Sequence, residues 1–137
     1  MTILDSNVLS ALMNDPAEQI VVAWMNRQPA SEIWTTSVTI LEIQFGLEIM
    51  PAGRRKTALS TRFERVLEET GRRIAVLDEE AALISAALMA SRQKRRPVEL
   101  RDTMIAGIVL AHHATLATRN VSHFADISAH VVNPWKD

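Results

Sequence analysis

Residues 1–13 read MTILDSNVLSALM, and the fold turns on how that stretch is divided. The run TIL at 2–4 is short, apolar and rich in β-formers, as a buried strand is. Asp5 then stops it, followed by the small polar residues Ser6 and Asn7. In one reading Asp5 is the N-cap of a short helix starting near Asn7. In the other it stands at the carboxyl end of a strand, where open α/β sheets bind their ligands. The rest of the chain decides how much the second reading carries.

Working outward, Ala17, Ile20, Val21 and Trp24 recur at helical spacing after the start signal Asp15-Pro16. IWTTS at 33–37 reads as a second strand, with Ser37 as N-cap of the next helix. Val38, Leu41, Phe45 and Ile49 mark the apolar face of that helix, which stops before Pro51. A basic amphipathic helix covers roughly 54–70, closed by Gly71. IAVL at 74–77 is a third strand, 79–95 a helix ended by Pro97, and 102–113 another helix. TLAT at 115–118 and AHVVN at 129–133 are the fourth and fifth strands. Strands alternating with helices predict an α/β fold, a central, mainly parallel sheet of four to five strands wrapped by helices. No repeat, linker or low-complexity tract divides the chain, so residues 1–137 form a single expected domain.

The composition suits that domain and excludes several alternatives. At 137 residues and 47% hydrophobic, the chain can bury a core. Without cysteine, neither a disulfide framework nor a thiolate metal site can form. The longest nearly apolar run, AALISAALMA at 81–90, falls well short of the ~20 residues of a membrane span. No basic segment precedes Asp5, so a signal peptide is not expected and a cytoplasmic location is. The four glycines form no phosphate-cradling loop, which excludes P-loop nucleotide hydrolysis. Charge is unevenly spread: residues 1–53 hold one base against six acids, and residues 54–101 twelve against seven. That division fits either solvated helix surfaces or a basic face for a polyanion beside an acidic pocket. Arg54, Arg55, Lys56, Arg92, Lys94, Arg95 and Arg96 are the bases expected to serve such a polyanion or an assembly surface.

Three further positions share the oddity of Asp5. Glu42 lies one turn after Val38 and one turn before Phe45 and Gly46, on the apolar face of its helix, with no Lys or Arg three or four residues away. Asp102 opens an apolar helix, where it could equally be the N-cap. Asn120 follows TLAT by two residues, at a strand's carboxyl end or in an ordinary turn. Two charges ~4 Å apart at an effective dielectric of about 20 repel by roughly 4 kcal/mol. A carboxylate cluster therefore persists only if a cation neutralises it or one member takes a proton. Oxygen donors without cysteine favour Mg²⁺ or Mn²⁺, which polarise a phosphoryl oxygen and activate water for in-line attack. Adjacent His112 and His113 point to different helix faces, and His123 and His130 lack a metal-ligand spacing, so structural roles are expected for all four.

These residues fall in segments that resemble the four motifs of PIN-domain ribonucleases: ILDSNVL at 3–9, TSVTILEIQFGL at 36–47, LRDTMIAGIVLA at 100–111 and LATRNVSHF at 116–124. The ending VVNPW at 131–135 is similar to the FitB/VapC branch, and the likeness covers essentially the whole chain. The resemblance implies a three-layer α/β/α fold and a toxin of a type II toxin–antitoxin pair that cuts RNA, such as the single-stranded loops of a tRNA, with Mg²⁺ or Mn²⁺. It implies Asp5, Glu42 and Asp102 as metal ligands. Asn120 stands at the fourth catalytic position, where Asn in place of Asp lowers the site's charge. It gives Ser6 and Asn7 auxiliary polar roles. It further implies a homodimer, and a small VapB/FitA-like antitoxin whose C-terminal segment covers the active site.

Two rivals are weaker. An aspartate-nucleophile phosphatase would need Asp two residues after the first, where Asn7 stands. A non-cutting RNA- or antitoxin-binding domain would have no use for a self-repelling acid cluster.

Overall fold

The computed structural model describes residues 1–137 and contains five parallel strands: β1 (Thr2–Leu4), β2 (Ile33–Thr36), β3 (Ile74–Ala75), β4 (Thr115–Ala117) and β5 (Val131–Val132). Their order across the sheet is β3-β2-β1-β4-β5. The chain thus starts at the centre, steps out to β3, then crosses over β1 to lay down β4 and β5. Between β1 and β4 the direction of winding reverses, so the crevice outside their carboxyl ends is the topological switch point. Leu4 pairs with Ala117 in register, which sets Asp5 and Thr118 side by side there.

Alternation along these short strands feeds two cores. Leu4 and Ala117 join Val8 and Leu9 of α1 (Ser6–Met13), Val21 and Trp24 of α2 (Gln19–Asn26), and Phe63, Val66 and Leu67 of α4 (Arg54–Glu69). Ile3 and Leu116 join Ile105, Ile108 and Val109 of α6 (Leu100–Ala111), with Ala81 of α5 (Glu79–Arg92). The remaining helix, α3 (Ser37–Glu48), sends Val38 into the second core and Leu47 into the first. The result is the expected α/β/α sandwich. Gly107 lets α6 lie close on α5: a Cβ there would come 2.7 Å from the Ala81 carbonyl oxygen. Gly71, at φ +70°, closes α4, its N–H donating to Glu68 O while Arg72 N–H donates to Leu67 O. No helix is long and apolar enough to cross a membrane.

Several expectations need correction. Helix α1 exists with Asp5 as its cap, so the two readings of Asp5 are not alternatives. The cap of α3 is Thr36, whose hydroxyl accepts from Thr39 N–H at 3.0 Å, not Ser37. Ser37 is the first helical residue, and its Oγ accepts from Leu77 N–H. Asp102 sits in the first turn of α6, with Glu99 at the cap position. Of the stripe assigned to the buried face of α3, only Val38 is buried; Leu41, Phe45 and Ile49 are 58, 54 and 67% exposed. The inward face instead carries Val38, Thr39 and Leu47 with half-buried Ile40 and Ile43, because α3 is wedged between α1 and α6. Arg92, grouped with the RNA-facing bases, is fully buried and cannot meet a phosphate.

Candidate active site

Asp5 ends β1 and is only 2% exposed. Its Oδ1 accepts from Ser6 N–H at 2.8 Å, and its Oδ2 from the Thr118 hydroxyl at 2.8 Å and the Asn7 amide at 3.3 Å. Burial nonetheless raises its pKa above the ordinary carboxylate value, helped by the charge of Asp102 and opposed by those hydrogen bonds. Three donors fix the carboxylate but do not replace the water it has lost.

Glu42 reaches the same crevice from α3. Burial again raises its pKa, Asp5 and Asp102 add repulsion, and Arg101 opposes them. Its Oε2 lies 3.9 Å from Arg101 Nε, a partner from α6 that a search along α3 alone could not find. Its Oε1 is buried with no hydrogen-bond partner at all. Asp102 completes the trio from the first turn of α6, its Oδ2 3.0 Å from His123 Nδ1. The charge of Asp102 thus acts on both Asp5 and Glu42 across the switch point.

They do not form a closed ligand set: no three His, Asp or Glu side chains stand at the spacing of one shared ion. Glu42 is drawn toward Arg101 and Asp102 toward His123. The donor chemistry still fits a divalent cation. Carboxylates whose charges reach one another, one oxygen lacking any partner, and no sulfur ligand are what a hard ion would satisfy.

The accessory residues divide. Asn7 bridges the site, its Nδ2 donating to Asp5 and Thr118 while its Oδ1 accepts from Arg119 N–H. Ser6 supplies the capping N–H, and the residue lines a groove of about 390 Å³ with Ser10, Asn14, Glu42, Gly46 and Arg55. Asn120 lies at the expected strand end but is exposed; its N–H donates to Thr118 Oγ1, and its side chain is hydrogen-bonded to none of the acids. A second cavity of about 440 Å³, bounded by Leu12, Met25, Ile33 and Val66, contains none of these residues.

Thr118, Arg101 and His123 also touch the acids, through contacts that the sequence alone does not mark. Thr118 had the same signal as Asp5, a polar residue closing an apolar strand. His123 lacks the spacing of a zinc-type pair, and a lone histidine that meets an Asp 21 residues away carries no local signal. Its position is enforced by Arg92, whose Nε and Nη2 grip Asp126 at 2.9 and 2.8 Å. The same guanidinium donates to Thr103 Oγ1 and to His123 O, tying the 121–124 turn to the start of α6. Arg92 holds the Asp126 carboxyl below its ordinary pKa, chiefly through that hydrogen bond.

Residues 2–129 match the PIN domain family. The chain is 33% identical to VapC ribonuclease Y4jK of Sinorhizobium fredii, over 99% of both sequences. It is 29% identical to Toxin FitB of Neisseria gonorrhoeae, covering both entirely. The crystal structure of FitAcB from Neisseria gonorrhoeae superposes with a TM-score of 0.87 at 28% identity, over all of both chains.

Proposed function

The chain belongs to the PIN-domain family, and from that premise we propose that it is a metal-dependent endoribonuclease, the toxin of a type II toxin–antitoxin pair, which inhibits translation and growth until its antitoxin binds. One observation carries the catalytic part: Asp5, Glu42 and Asp102 meet at the switch point with Glu42 Oε1 unpartnered. Asp5, Glu42 and Asp102 would hold Mg²⁺ or Mn²⁺. Such an ion supplies Lewis acidity toward a phosphoryl oxygen and makes water a stronger nucleophile. Ser6 N–H, Asn7 and Thr118 keep the Asp5 carboxylate from swinging away, and the Arg92 clamp keeps His123 against Asp102. Asn120 faces solvent at the rim, where RNA would approach.

The partner reading rests on the relative called Toxin FitB and on the FitAcB structure. It gives this chain a VapB/FitA-like antitoxin that covers the acid cluster. The exposed stripe Leu41, Phe45 and Ile49 supports a homodimer.

A non-cutting binding domain remains the second reading, because Arg101 already stands against Glu42 and His123 against Asp102 without an ion. Purified protein given single-stranded RNA and Mg²⁺ separates the two. Cleavage abolished by EDTA and by Asp102→Ala, leaving 5′-phosphate and 3′-hydroxyl ends, is the expected result. Cleavage that survives EDTA, or ends carrying a 2′,3′-cyclic phosphate, would remove the metal mechanism.

A further inference from the structure

Arg119 lies between the site residues Thr118 and Asn120, and its environment is built rather than incidental. Its backbone N–H is held by Asn7 Oδ1 at 3.1 Å, the same side chain that donates to the Asp5 carboxylate. Its guanidinium carbon sits 4.8 Å from the centre of the Trp135 ring. That ring is itself anchored: Nε1–H donates to Glu18 Oε2 at 2.6 Å, and the backbone N–H donates to Asn133 Oδ1 at 2.9 Å. Trp135 also packs on the first core. Three other arginines near the acids are engaged: Arg101 with Glu42, Arg96 with the His123 carbonyl, Arg92 with Asp126. Arg119 is exposed and has no carboxylate partner.

Stacking on an indole fixes the plane of a guanidinium while leaving its edge of N–H donors open. An arginine pre-set in this way loses little freedom when it takes a bidentate acceptor. The Arg119 backbone is anchored to Asp5 through Asn7, and from that point at the edge of the acid cluster the side chain extends its guanidinium fork onto the Trp135 ring. The geometry points to Arg119 as the residue that grips an RNA backbone phosphate next to the scissile one, with Trp135 as its positioning residue. The assignment rests on the endoribonuclease reading. A phosphodiester matches the fork in both charge and planar acceptor geometry. Because a neighbouring phosphate does not react, the contact is equal in ground and transition states, so it acts on KM rather than kcat.

The test is steady-state cleavage of a labelled single-stranded RNA in Mg²⁺, with binding measured over a range of salt. Arg119→Ala is expected to raise KM about 10- to 100-fold with kcat within twofold. It should also lower the salt dependence of binding by about 0.7, one single-strand phosphate. Arg119→Lys, which keeps the charge but not the fork, should recover only part of the loss. Trp135→Leu should raise KM less, and add nothing once Arg119 is Ala. Unchanged KM and salt slope in Arg119→Ala, full recovery by Lys, or a loss confined to kcat would each overturn the assignment. If the wild-type protein cuts no RNA, the endoribonuclease reading falls and takes this one with it. If wild type cuts and Arg119→Ala is indistinguishable from it, only this one falls.

Discussion

At the scale of the residue, Asp5 shows how a helix cap and a proposed metal ligand share one side chain. Its Oδ1 takes the first N–H of α1 while Oδ2 looks across to Thr118. Burial raises the pKa of Asp5 and of Glu42. For a raised carboxyl, the stabilising contribution is complete below the unfolded pKa of about 4 and is lost as pH rises through the folded value. The metal-free protein should therefore lose melting temperature as pH climbs from about 4 toward neutrality. Asp5→Asn keeps an acceptor for Ser6 N–H but removes the charge, so it should raise the metal-free melting temperature near pH 7 and flatten that slope. Saturating Mg²⁺, at about 100 times its Kd, should add about 2.7 kcal/mol to wild type and much less to Asp5→Asn. Thermal melts across pH, with and without Mg²⁺, measure all three; an Asp5→Asn protein less stable by the ~1 kcal/mol of a lost cap would reduce Asp5 to a capping role. Asp5 and Asp102 stand out in the sequence as carboxylates at the ends of apolar elements; Glu42 stands out on a stripe of α3 that the structure leaves mostly exposed, and its half-burial comes from the α1 and α6 side instead. Thr118 and His123 do not stand out, because their significance lies in contacts across 113 and 21 residues of chain.

Between elements, the same limit applies. The strand–helix alternation predicted the parallel sheet, since each short apolar run needs helices on both faces. It could not tell which side of α3 faces inward. Leu41, Phe45 and Ile49 have perfect helical spacing, yet α1 and α6 flank the other side. Nor could it separate Arg92 from its basic neighbours, because a buried arginine is visible only with its acceptors. In the structure Arg92 joins the end of α5 to the 121–124 turn and to α6 through Asp126, His123 O and Thr103. Arg92→Met should destabilise by about 3 kcal/mol, the low end for a broken buried pair because Asp126 keeps Arg95 and some solvent. Adding Asp126→Asn should return part of that, and a denaturant-based double-mutant cycle reads the coupling. The sign with pH is opposite to that of Asp5. Asp126 is held below its ordinary pKa, so its contribution is present above about pH 4 and lost as pH falls through the lower folded value.

Over the whole molecule, the division of charge seen along the chain becomes a division in space. The acid cluster occupies the carboxyl edge of the sheet, while Arg55 lines the groove leading from Glu42 and Arg96 borders a cavity shared with Asp102 and His123. A repelling centre with basic approaches suits a polyanion that must be drawn in and then held at one phosphate. The apolar stripe of α3 answers to a different demand. Leu41 and Phe45 are one helical turn apart and Ile49 follows by another, each more than half exposed. A row of this kind is costly in water unless covered, and in the proposed homodimer a second copy of the chain would cover it with the same row by two-fold symmetry. A stable dimer needs about 800 Å² from each partner, more than one stripe provides, so flanking polar contacts must contribute as well. The stripe would supply the apolar centre of that interface, where single substitutions cost most. Phe45→Glu, at the middle of the row, should therefore convert the dimer to a monomer in sedimentation at micromolar concentration while leaving the circular dichroism unchanged. Because Glu42, the site residue, lies on the same helix one turn from Phe45, the monomer should also cleave RNA more slowly if dimerisation steadies α3. A wild-type protein that sediments as a monomer, or a Phe45→Glu protein that stays dimeric, would move the interface elsewhere and leave the stripe to the antitoxin.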